Sequence, residues 1–279
     1  MWPILFEVPG TGIRLYGFGM MLVLAILGAS HLALRRARRE GLDPEVIAEL
    51  AVWLVVGGVL GARAFYVIQH REAIHSLGDI VRLGRGGIVY YGSILGGVAA
   101  GLLLWSRRRF PLRPTMDVVA PSLALGSALG RCGCFLNGCC YGDPSAWPWA
   151  VRFPARSLPW ASQVAHGLIS PLARYSLPVH PTQLYGVIDG LVLLLLLSAY
   201  YPLRRRDGEV MGLLMVTYPI TRFLIEALRN DEAPDYAGLT ISQALSVLLL
   251  LAGLVYWFWL SRLPLGRHAD AAEPSAAVG

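Results

Sequence analysis

Lysine is absent from this 279-residue chain, and all 24 of its basic side chains are arginine. Charge of either sign is scarce as well: 15% of residues are charged, against about 25% in a soluble domain. That deficit, with 55% hydrophobic residues and a positive mean hydropathy, excludes an ordinary soluble globule and points to a membrane protein. The opening MWPILFEVPGTG lacks the basic start and small-residue cleavage site of a signal peptide, so the first apolar run is expected to be retained as a span. No internal repeat is evident, which weighs against a transporter. No haem motif is present and no cofactor is expected. The net charge of +6 falls mostly in short arginine clusters between apolar runs. Such clusters are a topology signal rather than a nucleic-acid footprint, so no nucleic-acid partner is expected.

Seven runs are long enough, or nearly so, to cross about 30 Å of hydrocarbon. They lie near 16–34, 47–70, 88–105, 117–137, 183–201, 210–229 and 240–261. RRARRE, RRRFPLR, RRRDGE and the segment Arg262 to His268 follow the first, third, fifth and seventh runs, at every second boundary. By the positive-inside rule this places the N-terminus outside and the C-terminus in the cytoplasm. The fold class expected is therefore an all-α polytopic membrane protein with about seven transmembrane helices. Residues 1–265 are read as one transmembrane domain with a small outer cap over about 143–182, and 266–279 as a disordered cytoplasmic tail. Residues 71–87 read as an amphipathic surface stretch, and Trp147, Trp149 and Trp160 as interfacial anchors.

The rest of the chain is organised around DVVAPSLALGSALGRCGCFLNGCCYG, residues 117–142. Its small residues allow close helix approach, and it carries Arg131 inside an apolar run. An arginine at that depth costs about 2.5–3.5 kcal/mol on insertion scales, so it is rarely idle. Counting at 1.5 Å per residue places Arg131, Arg63 and Arg222 about 21, 24 and 18 Å above the inner ends of their spans. Tyr16, Tyr91, Asn137, His180 and Gln183 fall at the outer ends of theirs. Tyr218, Arg222, Glu226 and Arg229 share one helical face. Two readings follow: an Arg–Glu pair that fixes packing, or two cationic forks, Arg131 and Arg222, aimed at a phosphate. Arg63, with Tyr66, either joins that site or snorkels outward, the second being slightly favoured.

His180-Pro181-Thr182-Gln183 opens the fifth span. Pro181 suits a helix start, with His180 or Thr182 as its cap, and a structural turn is about as well supported as a catalytic histidine. Cys132, Cys134, Cys139 and Cys140 have a C-x-C-x4-C-C spacing that is not a standard zinc pattern. Disulfide formation or plain packing ranks above metal binding, and no metal site is assigned.

These residues together resemble the prolipoprotein diacylglyceryl transferase family. GRCGCFLNGCCYG is similar to its signature G-R-x-G-N-F-x-N-x-E-x-x-G. Tyr16-Gly17, Tyr90-Tyr91-Gly92, His180 to Tyr185 and Tyr218 to Arg229 follow in the family's order, so the likeness covers about 14–260. The resemblance implies transfer of an sn-1,2-diacylglyceryl group from phosphatidylglycerol to the lipobox cysteine thiol of preprolipoproteins. The products would be a thioether-linked lipid and glycerol 1-phosphate, made at the outer leaflet of the bacterial cytoplasmic (inner) membrane. It assigns Arg131 and Arg222 to the headgroup, and Tyr16, Asn137, Gly142, Tyr218 and Glu226 to the same site. Gly17, Gln183 and Arg229, in the quoted motifs, complete the expected binding set, and Tyr91 and His180 join the two arginines as catalytic candidates. This chain departs from the family pattern at four positions. Tyr91 stands where a histidine is common, Cys134 and Cys139 replace the signature asparagine and glutamate, and Gly186 replaces a glutamate frequent after H-P-x-Q-L-Y. Those departures keep open an alternative, a paralogue that binds anionic phospholipid or lipoprotein without transfer. A transporter of an anionic solute and a cysteine-based redox protein are more distant.

Overall fold

The computed structural model describes residues 4–7, 14–73, 90–229 and 238–268. Most of the amphipathic stretch expected over 71–87, the acidic segment near 230–238 and the tail beyond 268 lie outside the described residues. Among the described residues, seven helices of 18 residues or more follow one another. They are α1 (Gly17–Arg39), α2 (Pro44–Gln69), α3 (Tyr90–Arg108), α4 (Leu112–Asn137), α6 (Thr182–Tyr200), α7 (Glu209–Glu226) and α8 (Ile241–Ser261), with the short α5 (Leu158–Ala165) between α4 and α6. The purely α reading missed one feature, an antiparallel pair of strands, β1 (Ile4–Glu7) and β2 (Arg14–Tyr16), ahead of α1.

Five of these helices, α1, α2, α4, α6 with the turn that follows it, and α8, are long and apolar enough to cross a membrane. The other two are diluted, α7 by Glu209, Arg222 and Glu226 and α3 by four glycines. The apolar residues face outward: Leu27, Leu60, Leu195, Leu248 and Val255 are each more than 60% exposed, while Asp117, Gln183 and Glu226 are fully buried. A surface of leucine and valine over a polar interior is what lipid solvation selects. The chain is accordingly a mostly helical membrane protein.

It forms two compact units, Leu34–Thr115 and the combination of Met1–Ala33 with Met116–Gly279. In the first, Asp43 accepts from the Glu45 amide (2.8 Å) to cap α2, with Pro44 in its first turn. Gly57 and Gly61 of α2 meet Gly92 and Gly96 of α3 so closely that a Cβ at any of them would strike the opposite backbone. Arg108 closes the pair with an ion pair to Glu49 (2.9 Å).

In the second unit a buried carboxylate sets the height of the helices. Asp117, on α4, accepts from the amides of Gly208 (2.7 Å), Val210 (2.9 Å) and Met211 (3.0 Å) at the start of α7. It thereby satisfies donors that a helix N-terminus leaves unpaired. The segment between α4 and α6 folds on itself around α5: Phe153 is fully buried, the Trp160 indole donates to Ala173 O (2.7 Å) and Gln163 Oε1 accepts from the Leu177 amide (2.7 Å). Trp147 and Trp149 stack on each other and remain exposed.

Candidate active site

Arg131 and Arg222 can be located from the Asp117 anchor. Arg131 lies 14 residues along α4 and Arg222 lies 12 residues beyond Val210 along α7, rises of about 21 and 18 Å from a common starting point. α6 connects them. A Cβ at Gly190 would sit 2.9 Å from Ala128 Cβ, and one at Gly186 would sit 2.9, 3.0 and 3.1 Å from Cγ, Cδ and Nε of Arg131. The stem of Arg131 therefore lies flat against the bare backbone of α6. This close approach is what the small residues of α4 and α6 are for.

One turn further along α6, Asp189 lies within electrostatic reach of both Arg131 and Arg222, while the Thr221 hydroxyl donates to Tyr218 O (3.0 Å). Asp189 is not among the residues expected from sequence, although a lone acid inside VIDGLVLLLLL is itself a signal of a functional intramembrane group. It returns a carboxylate to α6 one helical turn after Gly186, the position where the related pattern has glutamate.

On α7 the buried Glu226 is bound by Arg222 and by Arg229 (2.9 Å), and Arg222 also donates to Ser242 Oγ of α8 (3.1 Å). The ion pair that the packing reading expects is therefore present. Arg131, Arg222, Arg229, Glu226 and Asp189 sum to one positive charge, the complement of a single phosphodiester. Glu226 Oε1 and Gln183 Oε1 are buried acceptors without a hydrogen-bond partner among the described residues, a state that costs about 1–3 kcal/mol each. Tyr218 sits one turn before Arg222 on the same helix.

Where α4, α6 and α7 end or begin, Gly142 forms the junction. Its amide donates to His180 O (3.0 Å), the Asp143 amide donates to Leu228 O (3.0 Å), and Gly142 is bridged to Arg229. A Cβ there would lie 2.5 Å from Leu228 O and 2.8 Å from His180 Cβ, so Gly142 serves the site through its backbone. The His180 ring contacts the Tyr185 hydroxyl (3.1 Å), which accepts from the Trp149 indole (2.7 Å). Neither His180 nor Thr182 caps α6, contrary to expectation: the N-cap is Pro181, with no side-chain bond. Thr182 Oγ1 donates instead to Cys140 O (2.6 Å), and Gln183 Nε2 to Cys139 O (2.8 Å). All four cysteines carry free thiols.

The other expected residues are placed by their own elements. Tyr16 is 54% exposed at the end of β2, where it pairs with Ile4, and Gly17 begins α1. Asn137 is exposed at the last position of α4. Tyr91, in the first turn of α3, belongs to the other unit. So does Arg63, which is buried with its guanidinium 5.0 Å from the Tyr66 ring instead of reaching outward.

The family model of prolipoprotein diacylglyceryl transferase matches residues 3–259. The chain belongs to this family. Relatives named phosphatidylglycerol–prolipoprotein diacylglyceryl transferase include proteins of Synechococcus elongatus and Clostridium tetani. The first is 35% identical over 92% of this chain and 87% of its own length, the second 32% identical over 91% and 96%. One from Rhodopirellula baltica is 41% identical over 96% of this chain and 48% of that longer protein.

Proposed function

We propose that this diacylglyceryl transferase family member moves the sn-1,2-diacylglyceryl group of phosphatidylglycerol onto the lipobox cysteine of preprolipoproteins, releasing glycerol 1-phosphate. The observation that carries the proposal is the placement of Arg131 and Arg222 at similar heights, both within electrostatic reach of Asp189, with one net positive charge among the five ionisable groups. A phosphodiester monoanion fits that charge, and guanidinium forks suit its oxygens. The orphaned oxygens of Gln183 and Glu226 would accept hydrogen bonds from the hydroxyls of the glycerol headgroup. The apolar groove of Pro219, Ile220, Phe223 and Leu224 on α7 with Val247 and Leu250 on α8 offers an acyl chain a seat.

In the reaction the acceptor sulfur attacks the glyceryl carbon bearing the phosphate. The C–S bond forms as the C–O bond breaks, and the electron pair leaves with the phosphate. Arg131 and Arg222 stabilise the charge that grows there, and such preorganised electrostatic stabilisation usually contributes most to catalysis. Tyr91 is assigned to take the thiol proton, although a phenol with a reference pKa near 10 is a weak base for a thiol near 8.5. His180 is assigned to order the junction through Tyr185. Tyr16, Gly17, Asn137, Tyr218 and Arg229 complete the binding set. The seven helices are taken as spans, with the N-terminus outside, the 143–182 segment as an outer cap and the site near the outer leaflet of the inner membrane. Residues 1–265 are taken as one transmembrane domain and 266–279 as a disordered cytoplasmic tail.

The test is purified protein with phosphatidylglycerol and a lipobox peptide bearing a free cysteine. Release of glycerol phosphate coupled to a diacylglyceryl mass gain on the peptide is expected. Saturable phosphatidylglycerol binding with no mass gain would overturn the transferase assignment in favour of a binding paralogue.

A further inference from the structure

The sequence spacing of the cysteines gave no metal pattern, but the fold draws three of them together. The ligand atoms of Cys134, Cys139 and Cys140 lie within 4.8 Å of one another. Cys134 is in the last turn of α4, and the turn through Gly138 and Cys140, both with positive φ (79° and 57°), brings the next two thiols back over it. A left-handed backbone is costly for cysteine and persists only where the surroundings enforce it. Here α6 does so: Thr182 and Gln183 hold the Cys140 and Cys139 carbonyls at 2.6 and 2.8 Å, and the Cys139 thiol donates to Cys134 O (3.8 Å). Such outer partners commonly orient the ligands of a metal. Three thiolates about 2.3 Å from one tetrahedral ion stand roughly 3.8 Å apart, so closing on an ion needs about 1 Å of movement at most. Cys132 lies outside this group.

We propose that Cys134, Cys139 and Cys140 hold one thiophilic d10 cation of the zinc(II) class, leaving its fourth position for the acceptor thiol of the lipobox. Soft thiolates select such ions, and three protein ligands with one open position mark a catalytic rather than a structural zinc. The inference rests on the transferase reading, and it replaces the weak base Tyr91 as the means of deprotonating the acceptor thiol. A thiol coordinated to zinc gives up its proton outright. The acceptor S–H therefore loses its proton to solvent on binding, and the sulfur electron pair displaces the phosphate. Placement agrees: Cys134 is three residues beyond Arg131 on α4, and Gln183, which holds Cys139, is three residues before Gly186, against which Arg131 packs. The cation and the phosphate clamp thus sit about one helical turn, roughly 5 Å, apart along both helices.

The experiment titrates reduced protein in detergent with zinc(II), and separately with cobalt(II) as the optical probe. Wild type and Cys132→Ser are expected to bind about one equivalent, and Cys134→Ser, Cys139→Ser and Cys140→Ser less than about a tenth of that. Zinc should also shield three of the four wild-type thiols from alkylation, a readout that needs no variant. A lipobox peptide with cysteine should alter the cobalt–thiolate absorption, and its serine counterpart should not. Equal metal content in the triple serine variant, or a Cys134–Cys139 disulfide in place of metal binding, would overturn the site. Metal binding with no response to the cysteine peptide, and transfer unaffected by a chelator, would overturn the role of the fourth position. Selective binding in a protein that releases no glycerol phosphate would uphold the metal site and overturn the transferase reading beneath it.

Discussion

Gly186→Ala separates the placement of Arg131 from the stability of the fold. The new methyl would stand 2.9 Å from Arg131 Cγ, 3.0 Å from Cδ and 3.1 Å from Nε. Ordinary carbon contacts are about 3.5–4.0 Å, so the arginine stem has to retreat by roughly 0.6–1 Å. The helix does not suffer, since alanine is favoured over glycine in a helix interior by about 0.8–1.0 kcal/mol. A displacement of about 1 Å in a reacting geometry can cost on the order of 10²-fold. The expected outcome is therefore an unchanged or slightly raised thermal midpoint with kcat/KM for phosphatidylglycerol reduced about 10- to 100-fold. Thermal unfolding in detergent and glycerol phosphate release on the same preparation read the two quantities. Full activity in a stably folded Gly186→Ala protein would refute the claim that Arg131 must lie against α6 to work.

Other perturbations probe the supports of the site. Asp117→Ala strips three amides at the start of α7 of their acceptor and should lower stability by about 3 kcal/mol, seen as a fall in thermal midpoint. Glu226→Gln leaves the guanidiniums of Arg222 and Arg229 without their shared carboxylate. A loss of about 3–5 kcal/mol is expected, to be measured by denaturant unfolding in mixed micelles. Asp189→Asn keeps the side-chain shape and removes the carboxylate charge shared by Arg131 and Arg222. Phosphatidylglycerol binding by isothermal titration should be as tight or tighter, with kcat reduced, because the charge balance around the two arginines changes.

The long apolar helices were legible because hydrophobic runs of about 20 residues have few other uses. The run at 183–201 became Thr182–Tyr200 and that at 240–261 became Ile241–Ser261. The helices extend past the apolar runs where the flanking polar residues favour a helix. α1 continues through RRARR to Arg39, since arginine is a good helix former and suits a C-terminal turn. α4 begins at Leu112 with Pro114 in its first turn, where a missing N–H costs nothing. The β1–β2 pair left no alternating pattern to read. In the site, Arg131, Arg222, Glu226 and Arg229 were visible as charges in apolar runs. Asp189 carries the same signal, but it lies inward of the outer span ends where the other polar groups gather, and its partners come from α4 and α7. The thiol cluster was hidden for a different reason: it depends on Cys140 adopting a positive φ, which a single sequence does not announce for a non-glycine residue.

The central claim is that Arg131 and Arg222 hold the phosphate of phosphatidylglycerol as it becomes the leaving group. The most direct measurement is kcat/KM for diacylglyceryl transfer by Arg131→Ala and Arg222→Ala, each checked for an intact thermal transition. Losing one such electrostatic contact should cost about 10²- to 10³-fold in each variant. Normal turnover in either properly folded variant would contradict the account.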